Sequence, residues 1–347
     1  MRIMMLFTAF ILVTSQNAFS QLKEVSLKEK NLHWIGRVTD DFTFGWGGSG
    51  VHFNTTAKEI SIEIDCKLGP AYLNIITNDD IHFVRIENGT YGRNITVKNP
   101  KPINSIHIIK STEAHTGHMR FKSLKMDGEL KSPTIKKRVL FIGDSITCGY
   151  GNLSKSHKEH YKPETEDVYY TYGFVAARKM GWEFNSVAWS GKGALRNYGK
   201  GDDEKRYKDT LPLIYERALP HKPNSKWDFK KNVPDLICVN LGTNDNAGGN
   251  LDKKKYVDAY RNFVKRIRQE YPGKPIVGLV GPLYNGKQYE YMAEWTKEAF
   301  DGMENTHVIQ LPKGKGQQDL GADWHPNKNH HQRMGEFLGP ELLKIAK

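Results

Sequence analysis

Four short polar blocks in the second half of the chain hold residue types that can carry out nucleophilic catalysis. They are Gly143-Asp144-Ser145-Ile146-Thr147, Ser190-Gly191-Lys192-Gly193, Gly242-Thr243-Asn244-Asp245 and Asp323-Trp324-His325-Pro326. Each block alone fits an ordinary helix cap, loop or turn. Their occurrence together in one half of the chain indicates a shared site.

The chemistry that suits these blocks is acyl transfer through a serine. A serine hydroxyl needs a neighbouring base, and the base needs an acceptor on its other ring nitrogen. We therefore predict Ser145 as the nucleophile, His325 as the base and Asp323 as the carboxylate that orients His325. The developing oxyanion needs hydrogen-bond donors, and the predicted ones are the Ser145 amide, the Gly191 amide and the Asn244 side chain.

The other acids and histidines near these blocks are predicted to have no part in the chemistry. Asp144 and Asp245 are expected to support the turns that carry the nucleophile and the amide donor. His330 and His331 are adjacent and lack a third ligand, so we expect surface residues and predict no metal or cofactor.

Four aromatic side chains are candidates to contact a substrate. Trp324 lies beside the base, Trp189 lies beside the second block, and Tyr198 follows that block. Trp46 lies among the glycines of segment 42–53. For each of the three tryptophans, a buried core residue is the alternative to a ligand contact. We predict substrate binding by these four residues.

Strands and helices alternate around the polar blocks. Apolar runs predict strands, and helical spacing predicts helices; the strands are 138–142, 236–241, 275–280 and 307–311, and the helices are 168–180, 256–271, 289–303 and 329–345. This alternation is typical of a parallel sheet covered by helices. Ligands bind beyond the carboxyl ends of such strands, which is where the blocks lie.

The first part of the chain has the pattern of an antiparallel β-sandwich. Ile60, Ile62, Ile64 and Cys66 alternate with polar residues, and further short runs at 72–77, 82–86, 95–98, 105–109 and 121–126 are separated by turns. Ser132-Pro133-Thr134 reads as a linker. We therefore predict a β-sandwich domain over 21–133 and an α/β domain over 136–347.

Length and composition limit the class of protein. The chain has 347 residues, of which 38% are hydrophobic and 26% are charged, which fits two folded domains and excludes a disordered, collagenous or multi-span membrane protein. The net charge is +12, but the basic residues are scattered and no nucleic-acid motif accompanies them. We predict a basic surface and no nucleic-acid partner.

The N-terminus has the order of a secretory signal peptide over residues 1–20. Arg2 precedes the apolar run Met4–Val13, and the small residues Ala18 and Ser20 offer a cleavage point. We expect a secreted or periplasmic protein without a membrane span. Three cysteines do not make a disulfide framework, and the sequence leaves their pairing open.

The four blocks resemble those of the SGNH, or GDSL, hydrolases. The string from Gly143 to Gly151, together with Leu211-Pro212 and Tyr215-Glu216-Arg217, is similar to carbohydrate esterase family 2. The resemblance implies a three-layer, flavodoxin-like α/β domain that follows an all-β jelly roll, with a Ser–His–Asp site and no metal. The SGNH resemblance covers about residues 136–347. The resemblance to family 2 also includes the β-sandwich that precedes this region.

The same resemblance implies removal of O-acetyl groups from polysaccharides or oligosaccharides such as xylan and mannan. The sequence departs from the common Asp-x-x-His spacing, because Ala322 stands three residues before His325 and Asp323 stands two before it. A main-chain carbonyl is therefore an alternative partner for His325. Two alternative functions also stay open: an SGNH esterase that acts on a sialic acid acetyl group, a lipid or a thioester, and a carbohydrate-binding protein with little turnover.

Overall fold

The computed structural model describes residues 22–346 except 79, 100, 202 and 285. The predicted signal peptide over residues 1–20 lies outside the described residues. Within them, no helix is both long enough and apolar enough to cross a bilayer.

Short strands build the first part of the chain. Among the described residues they are β1 (Lys23–Val25), β2 (His33–Ile35), β3 (Thr43–Phe44), β4 (Gly50–Thr55), β5 (Glu59–Lys67), β6 (Ala71–Thr77), β7 (Asp80–Ile86), β8 (Thr90–Lys98), β9 (Ser105–Lys110), β10 (His118–Met126) and β11 (Leu130–Lys131). One sheet has the order β1-β10-β5-β8, with β3 also on β10, and the other has the order β11-β4-β9-β6-β7, with β2 also on β4. All of these pairs are antiparallel.

The core of this part lies between its two sheets. In β5 every second residue is buried, as the period of two in the sequence predicts. Ile60, Ile62 and Ile64 of one sheet share a hydrophobic cluster with Leu73 and Ile106 of the other. The strands that the sequence predicted over 60–66, 72–77, 82–86, 95–98, 105–109 and 121–126 all form, within wider bounds for most of them.

The second part of the chain forms a parallel sheet with the strand order β13-β12-β14-β15-β16. Its strands are β12 (Arg138–Gly143), β13 (Glu183–Ala188), β14 (Leu236–Asn240), β15 (Ile276–Val280) and β16 (Thr306–Gln310). Its helices within the described residues are α1 (Ser145–Cys148), α2 (Tyr172–Met180), α3 (Leu211–Ile214), α4 (Thr243–Asn246), α5 (Lys253–Glu270), α6 (Lys287–Phe300) and α7 (Lys328–Ile345).

The parallel sheet is the middle of three layers. Leu140 and Ile142 of β12 pack in one cluster with α5 and α6, whereas Val139 and Phe141 pack in another with α2 and α7. Successive side chains of a strand point to opposite faces, so both faces of this sheet are covered. The predicted three-layer α/β architecture is therefore observed.

The two parts of the chain meet along β13, a strand that the sequence analysis missed. Its polar residues Asn185 and Ser186 are buried because they bond the first part of the chain: Asn185 Oδ1 accepts from the Gly36 amide at 3.0 Å, and Ser186 Oγ donates to the Gly47 carbonyl at 2.6 Å. These polar residues interrupt the apolar pattern that would have marked a buried strand. Segment 132–137, which contains the predicted linker, lies between β11 and β12 without helix or strand.

Candidate active site

The nucleophile candidate Ser145 lies where β12 turns into α1. Asp144 is the N-cap of this helix, and its Oδ1 accepts from the Ile146 amide at 3.0 Å, so the predicted role of Asp144 in the turn is confirmed. A Cβ at Gly143 would lie 2.0 Å from Thr147 Oγ1, so only glycine fits before the turn. The tight turn puts Ser145 at the carboxyl end of β12, between the ends of β13 and β14.

His325 reaches Ser145 from 180 residues further along the chain. Its Nε2 lies 2.9 Å from Ser145 Oγ, and its Nδ1 lies 3.1 Å from the carbonyl oxygen of Asp323 and 3.3 Å from that of Ala322. A carbonyl only accepts, so Nδ1 carries the proton and Nε2 is free to accept the serine proton. Burial lowers the pKa of His325, although the two carbonyls oppose this shift. The neutral imidazole is therefore the form present near neutral pH.

The Asp323 carboxylate does not orient His325, and this part of the sequence prediction was wrong. Its oxygens accept from the Tyr150 hydroxyl at 2.9 Å, the Tyr161 amide at 3.0 Å and His160 Nδ1 at 2.8 Å. Asp323 adopts a left-handed backbone with φ 48°. This turn points the side chain away and brings the main-chain carbonyl to the ring, which is the alternative that the short Asp-x-His spacing had left open.

The oxyanion candidates come from the strands on either side of β12. Gly191 follows β13, and Asn244 lies in α4 directly after β14, so the parallel order of these strands brings both blocks to the end that carries Ser145. Asn244 Nδ2 donates to the Lys192 carbonyl at 2.8 Å and lies 3.3 Å from Asp144 Oδ2. These contacts join the first three polar blocks.

Two buried aspartates support these loops. Asp245 accepts from the amides of Ala194, Leu195 and Arg196 at 2.9, 2.6 and 2.9 Å. It therefore anchors the neighbouring loop that follows Gly191, in addition to its place in the turn of Asn244. Burial raises the pKa of Asp144 to about 7, and the charge of Asp245 adds to this.

The aromatic candidates divide into two pairs. Trp324 is 58% exposed and Tyr198 is 72% exposed, and both line a cavity of about 600 Å³ together with Ser145. Trp46 is fully buried and its Nε1 donates to the Arg217 carbonyl at 3.1 Å, so the predicted substrate contact of Trp46 was wrong and the core alternative was right.

Trp189 also packs into the protein. Its ring lies edge-on to Trp46, at 6.5 Å between centroids, and to His221, at 4.8 Å. It lies outside the set of side chains that line the cavity. Trp189 and Trp46 are both away from the cavity because their rings pack together where the two parts of the chain meet.

Three residues near the site were missed or misplaced by the sequence analysis. Tyr150 packs against the His325 ring at 4.3 Å between centroids, with the ring planes tilted by 33°, and its place in the string Gly149-Tyr150-Gly151 was the available signal. His330 and His331 are both 1% exposed, so the prediction of surface residues was wrong. His330 Nε2 bonds the Pro312 carbonyl at 2.9 Å and His331 Nδ1 accepts from the Tyr172 amide at 3.1 Å, since the first turn of α7 packs inward.

The cysteines are all buried and unpaired in the structure. Cys238 lies in β14, as its apolar surroundings predicted. Burial raises the pKa of Cys148 and Cys238 well above the usual value of a thiol, so neither is a reactive thiolate at neutral pH.

Comparison with known proteins agrees with this geometry. A model of the GDSL-like Lipase/Acylhydrolase family matches residues 141–333. The chain is 31% identical over 315 residues to the cellulase/esterase CelE of Acetivibrio thermocellus, which covers 86% of this chain but only 37% of the relative's length. It is 26% identical over 345 residues to an acetylxylan esterase / glucomannan deacetylase of Cellvibrio japonicus, with 95% of this chain and 93% of the relative covered.

A solved structure extends the similarity to both parts of the chain. A family two carbohydrate esterase from Clostridium thermocellum, in complex with cellohexaose, superposes with a TM-score of 0.82 at 29% identity and covers 90% of this chain and 98% of that one. The predicted resemblance is thus confirmed, because the family model spans more than half of the sequence and contains the Ser145–His325 pair. The chain belongs to the GDSL-like lipase/acylhydrolase family.

Proposed function

We propose that this chain is an exported serine esterase that removes O-acetyl groups from plant-type polysaccharides or oligosaccharides. The observation that carries the proposal is the 2.9 Å contact between Ser145 Oγ and His325 Nε2, with the opposite ring nitrogen on a main-chain carbonyl. This arrangement supplies a nucleophile, a base of fixed tautomer and a neighbouring set of amide donors.

The reaction proceeds through an acetyl-enzyme. His325 Nε2 takes the Ser145 proton as Oγ forms a bond to the acetyl carbonyl carbon, and the carbonyl oxygen becomes an oxyanion. The Ser145 amide, the Gly191 amide and the Asn244 side chain stabilise that charge. The tetrahedral intermediate collapses as the bond between the carbonyl carbon and the sugar oxygen breaks, the sugar oxygen leaves with the proton from His325, and the acetyl group stays on Ser145 Oγ as an ester.

The second half of the reaction repeats these roles with water. His325 removes a proton from a water molecule, whose oxygen attacks the acetyl carbonyl carbon. The Ser145–acetyl bond then breaks, His325 returns its proton to Oγ, and acetate departs. Asp323 contributes through its main chain by holding Nδ1, and its side chain holds Tyr150, which packs on the imidazole.

The cavity beside Ser145 supports a carbohydrate substrate. Trp324 and Tyr198 expose aromatic faces at its wall, and sugar rings stack on such faces. Relatives that match nearly this whole chain are named acetylxylan esterase / glucomannan deacetylase. We therefore assign acetylated xylan or mannan as the substrate class and Trp324 and Tyr198 as its contacts.

The organisation proposed for the chain is a signal peptide over 1–20, a jelly-roll sandwich over 21–133 and an SGNH catalytic domain over 136–347. The two antiparallel sheets and the three-layer α/β part support this division. The chain spans only 37% of the length of CelE, which is named a cellulase/esterase, and we propose only an esterase activity for this chain.

Acetate release tests the function directly. The wild-type protein should release acetate from 4-nitrophenyl acetate and from acetylated xylan or glucomannan, and Ser145→Ala should release none above background. A panel with acetylated sialic acid and longer acyl esters distinguishes the other esterases, which would prefer those substrates. If wild type and Ser145→Ala bind glycan equally and neither releases acetate, the protein is a carbohydrate-binding protein and the proposal is refuted.

A further inference from the structure

A carboxylate from the first part of the chain reaches the loop that carries Gly191. Glu113 lies shortly after β9 and is 1% exposed. Its Oε2 accepts from the Ser190 amide at 2.6 Å, and its Oε1 accepts from the Ser190 hydroxyl. Ser190 directly precedes Gly191, so the Glu113 side chain bonds the residue next to a proposed oxyanion donor.

The same carboxylate also contacts the helix that begins at the nucleophile. Cys148 Sγ donates to Glu113 Oε2 at 3.6 Å, and Cys148 is the last residue of α1. Glu113 therefore connects the segment after Ser145 with the segment before Gly191. Ser145 and Gly191, which adjoin these two segments, supply amides to the proposed oxyanion hole.

Glu113 has a second buried acid beside it, and the two have different charges. Glu166 Oε2 accepts from the Glu113 amide at 3.0 Å and from the Tyr161 hydroxyl at 2.8 Å. Burial, and then the charge of Glu113, raise the pKa of Glu166 well above its usual value. Burial also opposes ionisation of Glu113, but the bonds from His115 and Ser190 outweigh it and lower the pKa of Glu113. Glu113 is therefore the ionised member, with both oxygens available as acceptors.

The peptide between Ser190 and Gly191 is held from both sides. Glu113 fixes the amide and the hydroxyl of Ser190, and the Gly191 carbonyl accepts from the Tyr198 amide at 2.8 Å. Gly191 has a positive φ of 78°, in the left-handed region of backbone conformation. Glycine has no Cβ, so its backbone adopts many other conformations at little cost. Without the bonds to Glu113, only the bond from Tyr198, on the far side of Gly191, would restrain the direction of the Gly191 amide.

We propose that Glu113 is a positioning residue for the esterase reaction, which holds Ser190 and thereby directs the Gly191 amide at the oxyanion. This inference rests on the proposed function. It means that the first part of the chain completes the active site, since its carboxylate determines the geometry of a donor that belongs to the second part.

Glu113→Gln tests the proposal with little change of shape. The glutamine Nε2 cannot accept, so the bond that the Ser190 hydroxyl donates is at best replaced by a reversed one from Nε2 to Ser190 Oγ, and both bonds lose the charge of the carboxylate. Because a misdirected donor loses transition-state rather than substrate binding, kcat for 4-nitrophenyl acetate should fall by about 10–100-fold while KM changes less than about threefold. The matched control is Glu166→Gln, which replaces a protonated acid of the same cluster with a neutral amide and should keep the wild-type kcat.

Ser190→Ala examines the other end of the interaction. It removes only the hydroxyl, so we expect a smaller fall in kcat, about 3–10-fold, since the Ser190 amide still bonds Glu113. The double variant Glu113→Gln/Ser190→Ala should lose less than the product of the two single losses, because both act on one interaction. If Glu113→Gln does not fold, the kcat of Ser190→Ala alone tests whether the bond between Glu113 and Ser190 positions the Gly191 amide.

A tetrahedral inhibitor separates positioning from general stability. A small alkyl boronic acid adds to Ser145 Oγ and places an oxygen among the oxyanion donors, so its affinity should fall in Glu113→Gln by the same factor as kcat. A folded Glu113→Gln with wild-type kcat, a loss confined to KM, or unchanged boronic acid affinity would each overturn the role of Glu113, as would a wild-type kcat for Ser190→Ala. A wild-type protein that hydrolyses no ester would refute the proposed function itself.

Discussion

Replacing Asp323 with asparagine distinguishes the two ways in which His325 can be oriented. If a carboxylate orients a catalytic histidine, its amide replacement lowers kcat by roughly 10⁴-fold, about 5.4 kcal/mol of barrier, because the wrong tautomer forms. Here the Nδ1 proton is held by the Asp323 and Ala322 carbonyls at 3.1 and 3.3 Å, and neither acceptor changes in Asp323→Asn.

The expected loss of kcat in Asp323→Asn is therefore small. The asparagine also tolerates the left-handed backbone of Asp323, so the turn that presents the carbonyl is preserved. What changes is one or two of the bonds to Tyr150, Tyr161 and His160, at a cost of about 1–2 kcal/mol of folding free energy. Through the contact of Tyr150 with the imidazole, we expect kcat to fall by less than about tenfold.

The assay is acetate release from 4-nitrophenyl acetate and acetylated xylan, with thermal unfolding measured in parallel. Asp319→Asn is the matched control, because Asp319 lies in the same segment but accepts from the Lys315 amide and pairs with Arg333. It should lose stability and keep its kcat. A fall of 10³-fold or more in a folded Asp323→Asn protein would show that the carboxylate is the acceptor and would refute the main-chain assignment.

Three further predictions concern the same site. Because burial lowers the pKa of His325 below its ordinary 6.5, and only the neutral ring accepts the serine proton, kcat/KM should stay high down to pH 6.5 and fall below it; an acidic midpoint above 6.5 in a pH–rate profile would contradict this. Asn244→Ala removes an oxyanion donor, so kcat should fall by about 10²–10³-fold with little change in KM, and a loss seen only in KM would exclude that role. Trp324→Ala should raise KM for acetylated oligosaccharides by roughly 5–30-fold, the equivalent of about 1–2 kcal/mol of stacking, and leave 4-nitrophenyl acetate unaffected. Tyr91→Ala, which removes an exposed aromatic ring of β8 in the other part of the chain, is its control, and equal effects of the two substitutions would refute the stacking contact.

The sequence by itself was sufficient for most of the longer strands and helices and for the chemistry of the Ser145–His325 pair. The period of two in β5 and the apolar runs of β12 and β14 are local patterns, and burial of one or both faces of a strand imposes them directly. Ser145 and His325 were identifiable because few residue types perform nucleophilic and basic roles, and their blocks follow strands or precede a helix in the expected order.

Tertiary structure alone decided which atoms meet. The local sequence around Asp323 does not reveal that its backbone is left-handed and presents a carbonyl to His325. Nor does it reveal that Tyr150 and His160 donate hydrogen bonds to the Asp323 carboxylate. Trp46 could be assigned to the core only when the packing between the two parts of the chain was known.

The same physical reason explains β13 and Glu113. Asn185 and Ser186 in β13, and Glu113 beside the oxyanion loop, are polar residues that are buried because their partners come from the other part of the chain. A polar residue in a sequence indicates solvent unless its partner is known, since burial without a hydrogen bond is unfavourable. Those partners lie between 77 and 149 residues away, and only the folded chain brings them together.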